Sequence, residues 1–554
     1  MAQGPAHSPR PAHALKEGVA TIAAELRLNF RHFRHSKTPL IWILALLIGT
    51  IVSSAAILFR ETIGLVQMLW LGTSSEAVVT AAAQVPWYVV MLAPAAGGLV
   101  VGLLLHFVQP MQRASSVADV IEARASAGRS LHFWPGMSSA LVAALSLGSG
   151  ASAGREGPMV HLGATIATSL GRLFSLPDSS RRMLLACGVA SAVSASFNAP
   201  IAGVLFAHEV ILGHYALSAL PPVAIAAVTG TVFSRLWFGD VAAFIIPAYQ
   251  ITSYWEFPAF ALLGLACAAV SILFQFALTG TDWVARNIPL PLWLRPVTGG
   301  LAIGTIALMF PHVLGVGYEA TDEALKNQLP LTLLLALLVA KTAATAITLA
   351  SRFGGGVFSP ALYLGAMTGG AFGIIAAAAV PDMASSGGLY AILGMGAVAA
   401  SVLGAPVSTT MIVFELTGGY GLSMALLLCV SIATGITQAV HGRSFFQWQL
   451  EMRGVPLKDG LHRMLVREVR VDDFMTPLAP GDTGATGPLT PEMPVLFTEE
   501  TLDKALRRFD ETGQTSLPVV RRSAPLLPVA MAFHVHALAH YNAVLIKAAE
   551  EEHR

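Results

Sequence analysis

Nearly continuous apolar runs recur along this chain at Pro39 to Leu58, Trp87 to Phe107, Leu217 to Phe233, Ala259 to Leu278 and Leu331 to Ala350. Each is close to the roughly 20 residues with which a helix crosses a bilayer, so the pattern predicts a polytopic membrane protein. Two further runs, Ser138 to Leu147 and Val160 to Leu173, are shorter than a full span. Short apolar segments interrupted by Gly and Pro predict broken or re-entrant helices, the elements from which transporters build ion sites. Beyond Pro456 the apolar runs stop and the chain turns polar.

Composition sharpens this reading. Of 554 residues, 55% are hydrophobic and 12% charged, about half the charge of an ordinary soluble protein. A net charge of +1 without any basic run gives no footprint for nucleic acid. Arg27, Arg31, Arg34 and Lys37 stand just before the first run, which predicts a cytoplasmic N-terminus. That run starts too late and is too long for a cleavable signal peptide. Cys187, Cys267 and Cys429 lie in apolar stretches, where packing is expected rather than a disulfide framework. No nucleophile–base pair, phosphate loop or metal cluster stands in a suitable setting, so an enzyme is not expected.

The most informative chemistry is Gly154-Arg155-Glu156-Gly157-Pro158, a carboxylate in a glycine-rich break between apolar stretches. A charge at membrane depth costs from about 3 to more than 10 kcal/mol, so it is kept for a function. Irregular backbone is tolerated there when it is buried in protein or lines a watery cavity. The freed N–H groups suit an anion, because a helix N-terminus carries partial positive charge. A carboxylate among anion-binding amides reads as a gate.

The chain also contains itself twice. Ala199-Pro200 leads to Glu209, and Ala405-Pro406 leads to Glu415 at the same interval. Upstream, Pro158 leads to Leu162-Gly163-Ala164 as Pro360 leads to Leu364-Gly365-Ala366. Repeats of this kind place a transport site at their interface near the midplane. Glu209 and Glu415 are equivalent, which favours packing or capping roles; Glu156 faces Phe358 in the other copy, and that asymmetry marks it as functional.

Three blocks carry a resemblance: Gly154-Arg155-Glu156-Gly157-Pro158, Phe197-Asn198-Ala199-Pro200-Ile201-Ala202-Gly203, and Gly354-Gly355-Gly356-Val357-Phe358-Ser359-Pro360. In order and spacing, over roughly residues 39 to 457, they resemble the CLC chloride channels and chloride/proton antiporters. The resemblance implies a homodimer with one pore per subunit, built from inverted repeats of short tilted helices. It implies that Glu156 is the gating glutamate, competing with chloride for an outer site. The amides around Arg155, Glu156 and Gly157 would serve that site, and those of Val357 and Phe358 a central one. Neutral dipoles suit the task, since they bind a dehydrated anion and still release it.

Three departures from the family pattern bear on mechanism. The first block, usually Gly-Ser-Gly-Ile-Pro, is Ala114-Ser115-Ser116-Val117-Ala118 here; Ser115 aligns with the serine that donates a hydroxyl to the central chloride. The pore tyrosine falls on Phe446, which keeps the ring and loses the hydroxyl. The second glutamate of many antiporters, directly after the Glu209 position, is Val210. Valine relays no proton, so passive, channel-like flow is favoured over proton-coupled exchange. In the exchange alternative Glu156 is the outer proton carrier, with His208 or Glu209 as candidates for the inner one. A fluoride-selective exporter is a further alternative, through the altered first block. Lys341, inside an apolar stretch, either raises the local potential for anions or pairs with a carboxylate or a helix C-terminus. Arg113, Arg124 and Arg129 are expected in an ordinary cytoplasmic loop, with drawing anions to the inner mouth as the alternative.

The polar tail reads as strand (Pro494 to Thr498), helix (with Leu502, Ala505, Leu506 and Phe509 on one face), strands (Ser516 to Val520 and Leu527 to Phe533) and a final helix (His536 to Glu551). That order resembles one CBS motif, too little for the family's usual pair, so nucleotide binding is not assigned and a structural dimer cap is preferred. A ligand-sensing tail is the alternative from another class. His534, His536 and His540 include an i, i+4 pair, but no Cys or acidic partner stands in step, and no metal is assigned.

The expectation is therefore an all-α polytopic membrane protein with a small α+β CBS-like tail, multi-pass in a plasma-type (bacterial inner) membrane with both termini cytoplasmic. Residues 1–38 form an N-terminal segment, 39–217 the first repeat, 218–254 a connection, 255–457 the second repeat and pore-lining last helix, and 458–554 the tail. The expected partners are chloride or other small anions, the lipid bilayer and a second copy of the chain, with no cofactor.

Overall fold

A computed structural model describes residues 25–553 except 32, 35, 126–130, 240–243, 245–248, 250, 382–383, 418–419, 456–468, 479–488 and 490–492. Most of residues 1–38, Arg129 and most of the tail's linker therefore lie outside the described residues. Among those described, seven helices are long and apolar enough to cross a membrane, including Trp87–Phe107 and Leu331–Ala350 at the bounds of their apolar runs. Others run past the apolar pattern. Thr38–Leu71 continues through Arg60 and Glu61 for 34 residues, about 51 Å at 1.5 Å per residue. A bilayer core is roughly 30 Å thick, so this helix crosses it tilted or projects beyond it.

The duplication seen in the sequence governs the packing. Glu156–Leu173 packs on Asp178–Phe197, and Phe358–Ala379 packs on Gly387–Leu403. A glycine on each helix allows the approach. A Cβ at Gly163 would lie 2.4 Å from the Gly188 carbonyl oxygen, and one at Gly365 2.3 Å from that of Gly394. Small residues at helix contacts are how membrane helices gain close packing where lipid gives no hydrophobic drive. Each pair ends alike: Asn198 and Gly404 take the left-handed conformation at the C-cap, and helices restart at Pro200 and Pro406. Proline is tolerated in a first turn because its missing N–H has no intrahelical partner there.

The halves meet through two reciprocal contacts. Gly154 and Gly356 form an antiparallel bridge, each N–H donating to the other's carbonyl at 2.7 Å. The Glu209 carboxylate accepts from the amides of Val407 (3.0 Å) and Ser408 (2.7 Å), and Glu415 from those of Ile201 (3.1 Å) and Ala202 (2.7 Å). Each half thus caps a helix start in the other, with an acid where the helix dipole favours it. Capping is the role the repeat suggested for both glutamates. The exchange of equivalent contacts is two-fold, as an inverted repeat requires.

Residues 218–254, read as a connection, contain the Leu220–Phe238 span, which packs on the Thr38–Leu71 and Asp178–Phe197 helices of the first half. The link proper starts after it. The tail has its own apolar core around Val471, Leu502, Phe509 and Val519. Strand Leu496–Phe497 pairs parallel with Ser516–Arg521, with the Leu502–Thr512 helix crossing between them and Gly513 (φ +65°) ending it. Ala524–Phe533 then pairs antiparallel with Ser516–Arg521, and His534–His553 follows. An edge strand, Thr476–Pro477, carries no apolar pattern of its own; Val471 and Phe474, buried just before it, anchor it to the core. The histidine rings pack on aromatic neighbours: His534 on Phe509, His536 on Phe533 and His540 on Phe474.

Candidate ion pathway

Four helices begin around one cavity of about 360 Å³: Val117–Ala125, Glu156–Leu173, Phe358–Ala379 and Phe445–Glu451. Their first residues line it, among them Val117, Glu156, Gly157, Val357, Phe358, Phe445 and Phe446. Four N-termini turned on one space make it attractive to an anion without a fixed charge at its centre. Ser115 borders the cavity as expected; its N–H is spent on the Ser139 hydroxyl at 2.7 Å, so its own hydroxyl is the group it can offer. The Phe446 ring borders the space without a donor. Phe358 packs against Phe197 and Phe206, with ring centroids at 5.0 and 6.3 Å, giving the deep wall an apolar lining.

Glu156 closes the cavity's far end and is 2% exposed. Its Oε1 accepts from the Ser359 hydroxyl at 2.6 Å and the Tyr318 hydroxyl at 3.0 Å, while Arg155 Nε stands at 3.9 Å. Oε2 has no hydrogen-bond partner among the described residues. That oxygen lies 2.7 Å from where a Cβ on Gly154 would stand, so glycine at 154 leaves the carboxylate its place.

Beyond Glu156 is a second space of about 220 Å³, lined by Arg60, Glu76, Arg155 and Tyr318 among others. Glu156 therefore stands between the first cavity and this second space, a vestibule. The Arg155 side chain belongs to the vestibule: it donates to Glu76 Oε1 at 2.6 Å and lies over the Tyr318 ring at 4.9 Å. Arg60 meets the same Glu76 oxygen at 3.1 Å. Arg155 holds the Glu156 loop from the vestibule side and is not among the residues that line the first cavity.

Two residues that hold the Glu156 carboxylate were not singled out from the sequence. Ser359 sits inside the third motif block, where the amides drew attention and the hydroxyl did not. Tyr318 follows Gly315-Val316-Gly317, and a second glycine-rich break after an apolar run was the available signal. Lys341 explains how that loop is held. It is 0% exposed and donates to the carbonyls of Val313 and Gly315 at 3.0 Å each. Pairing within the fold is thus what the structure shows for Lys341, with loop carbonyls as partners.

His208 and Glu209 lie in a π-helical turn, Ala207–Leu212, an irregularity frequent at functional sites. The His208 ring stacks on Tyr215 at 5.7 Å, with Nδ1 2.9 Å from the His214 carbonyl oxygen. Val210 is partly buried beside the main core. At the tail-side mouth, Arg113 pairs with Asp119 at 2.6 Å, and Arg453 reaches the same carboxylate at 3.0 Å.

Paired half-repeats, broken helices with N-termini meeting at a cavity, and a carboxylate across the passage define an ion-conducting membrane protein of the inverted-repeat class. A family model described as "Voltage gated chloride channel" matches residues 97–438. The chain is 34% identical over 390 residues to a "Putative chloride channel protein ClcB-like" of Ralstonia nicotianae, an alignment covering 70% of this chain and 91% of that protein. It is 31% identical to "Chloride channel protein CLC-f" of Arabidopsis thaliana, with 72% of this chain and 54% of that longer protein covered. In fold it resembles a slow cyanobacterial Cl-/H+ antiporter (TM-score 0.67, 23% identity, 76% of this chain and 98% of that one). A CLC-type fluoride/proton antiporter is also similar in fold (TM-score 0.60, 22% identity, 72% and 96%). The chain belongs to the CLC, or voltage-gated chloride channel, family.

Proposed function

We propose that this protein carries chloride through a CLC-type pore gated by Glu156, as passive, channel-like flow. The carrying observation is the cavity onto which four helix N-termini converge and which Glu156 closes. An anion entering it meets amide dipoles and then a carboxylate that occupies the next anion position. Protonation of Glu156, or its displacement by an anion, opens the way to the vestibule. Weak central binding follows from the missing hydroxyl at Phe446, and weak binding favours rapid exit. Passive flow is favoured because Val210 relays no proton and the Glu209 carboxylate is engaged as a helix cap. The working unit is a homodimer with one pore per subunit, in a plasma-type (bacterial inner) membrane with the tail cytoplasmic; the tail acts as a CBS-like structural cap.

Proton-coupled exchange is the second reading, and one observation favours it. His208 Nε2 is buried without a hydrogen-bond partner among the described residues, beside the family's inner-acid position. The test is proton movement in liposomes holding the purified protein under a chloride gradient, with the membrane potential clamped by a potassium ionophore. Chloride flux without proton movement supports passive flow. Uphill proton transport driven by chloride assigns an exchanger and makes His208 the first residue to mutate.

A further inference from the structure

The tail-side mouth of the inner cavity is built differently from its depth. Four guanidinium side chains border it, those of Arg113, Arg286, Arg352 and Arg453, against the carboxylate of Asp282. Three of the four are engaged: Arg113 and Arg453 with Asp119, and Arg286 with Asp282 at 2.7 Å. Arg352 differs. Its Nε is buried with no hydrogen-bond partner among the described residues. It lies within electrostatic reach of Asp282, Arg286, Arg295 and Arg113, so like charges outnumber the opposite one around it. Its backbone is left-handed at φ +70°, a conformation that costs energy for any residue with a Cβ and that glycine adopts freely. Three glycines follow at 354–356, yet position 352 itself carries an arginine.

A passing halide must be bound weakly enough to leave. A forked donor left unpaired at a rim of like charges matches an oxyanion instead, whose oxygens accept parallel charge-assisted hydrogen bonds. We propose that Arg352 anchors an inhibitory site for a doubly charged oxyanion of the phosphate type at the tail-side mouth, with Arg113, Arg286 and Arg453 as its electrostatic frame. Occupied, the site blocks the route to Ser115 and Phe446. The blocking role rests on the anion-transport reading; the binding site itself does not.

Inorganic phosphate is the probe. Full-length protein is titrated with it calorimetrically, and chloride flux is measured in oriented liposomes with phosphate on either face at constant ionic strength. Wild type should bind phosphate and lose flux when phosphate is on the tail side. In Arg352→Gly, which relieves the backbone and removes the charge, apparent phosphate affinity should fall about tenfold or more. Arg352→Lys should retain part of it, separating charge from loop collapse. Phosphate binding that is equal in wild type and Arg352→Gly, or absent from wild type, overturns the site. Binding lost in Arg352→Gly by a protein that moves no chloride leaves the site standing and overturns the transport reading instead.

Discussion

Replacing Tyr318 by Phe removes one of the two hydroxyl donors on Glu156 Oε1, together with that hydroxyl's contact with Ser359, and keeps the ring and its contact with Arg155. Hydrogen bonds to charged groups contribute about 1.5–3 kcal/mol each. The Tyr318 bond is the longer of the two, 3.0 Å against 2.6 Å for Ser359, so its loss belongs at the low end, about 1.5 kcal/mol. That is about a tenfold shift of the gate from closed toward open. A carboxylate held by one donor fewer should also be displaced at a lower chloride concentration. The assay is chloride efflux from liposomes, measured against chloride concentration. The control is the same substitution on a Glu156→Gln background, where it should add nothing, since the acceptor charge is already gone. Unchanged chloride dependence in Tyr318→Phe, or an equal effect without the Glu156 carboxylate, would refute the view that Tyr318 holds the gate.

Two other substitutions probe the frame around the gate. Glu209→Gln weakens the cap on Val407 and Ser408 and should lower unfolding stability by about 1 kcal/mol, with a similar loss for Glu415→Gln. Thermal unfolding in detergent checks the pair, and a Glu209 variant of unchanged stability that altered proton movement would show a relay instead. Lys341→Met frees the carbonyls of Val313 and Gly315 in the loop that carries Tyr318. Its chloride dependence should shift in the same direction as that of Tyr318→Phe, and the two shifts should not add in the double variant.

Much of this architecture was legible in the sequence because membrane helices advertise themselves through apolar length, and duplicated motifs mark the interface between halves. Trp87–Phe107 and Leu331–Ala350 were bounded by the apolar pattern alone. Helix ends were less so, as at Thr38–Leu71, because helical hydrogen bonding continues past the last apolar residue wherever packing supports it. The place of Glu156 at the cavity was readable because a charge at membrane depth is costly and the Gly/Pro break around it frees amides that suit an anion. Its partners were not. Tyr318 is distant in sequence and meets Glu156 through a loop that Lys341 fixes from yet another helix. Glu76, the partner of the Arg155 side chain, lies in a short polar connection with no pattern to mark it. Contacts of that kind arise from tertiary geometry and leave no local periodicity.

The central claim is that Glu156 is the movable plug of an anion pore. Its most direct test is chloride efflux from liposomes containing Glu156→Gln, followed across acid to neutral pH beside the wild type. The account predicts wild-type flux that rises as pH falls, and variant flux that stays high and flat across the range. Flux in Glu156→Gln that still rose with acid as in the wild type would place the gate elsewhere and contradict the account.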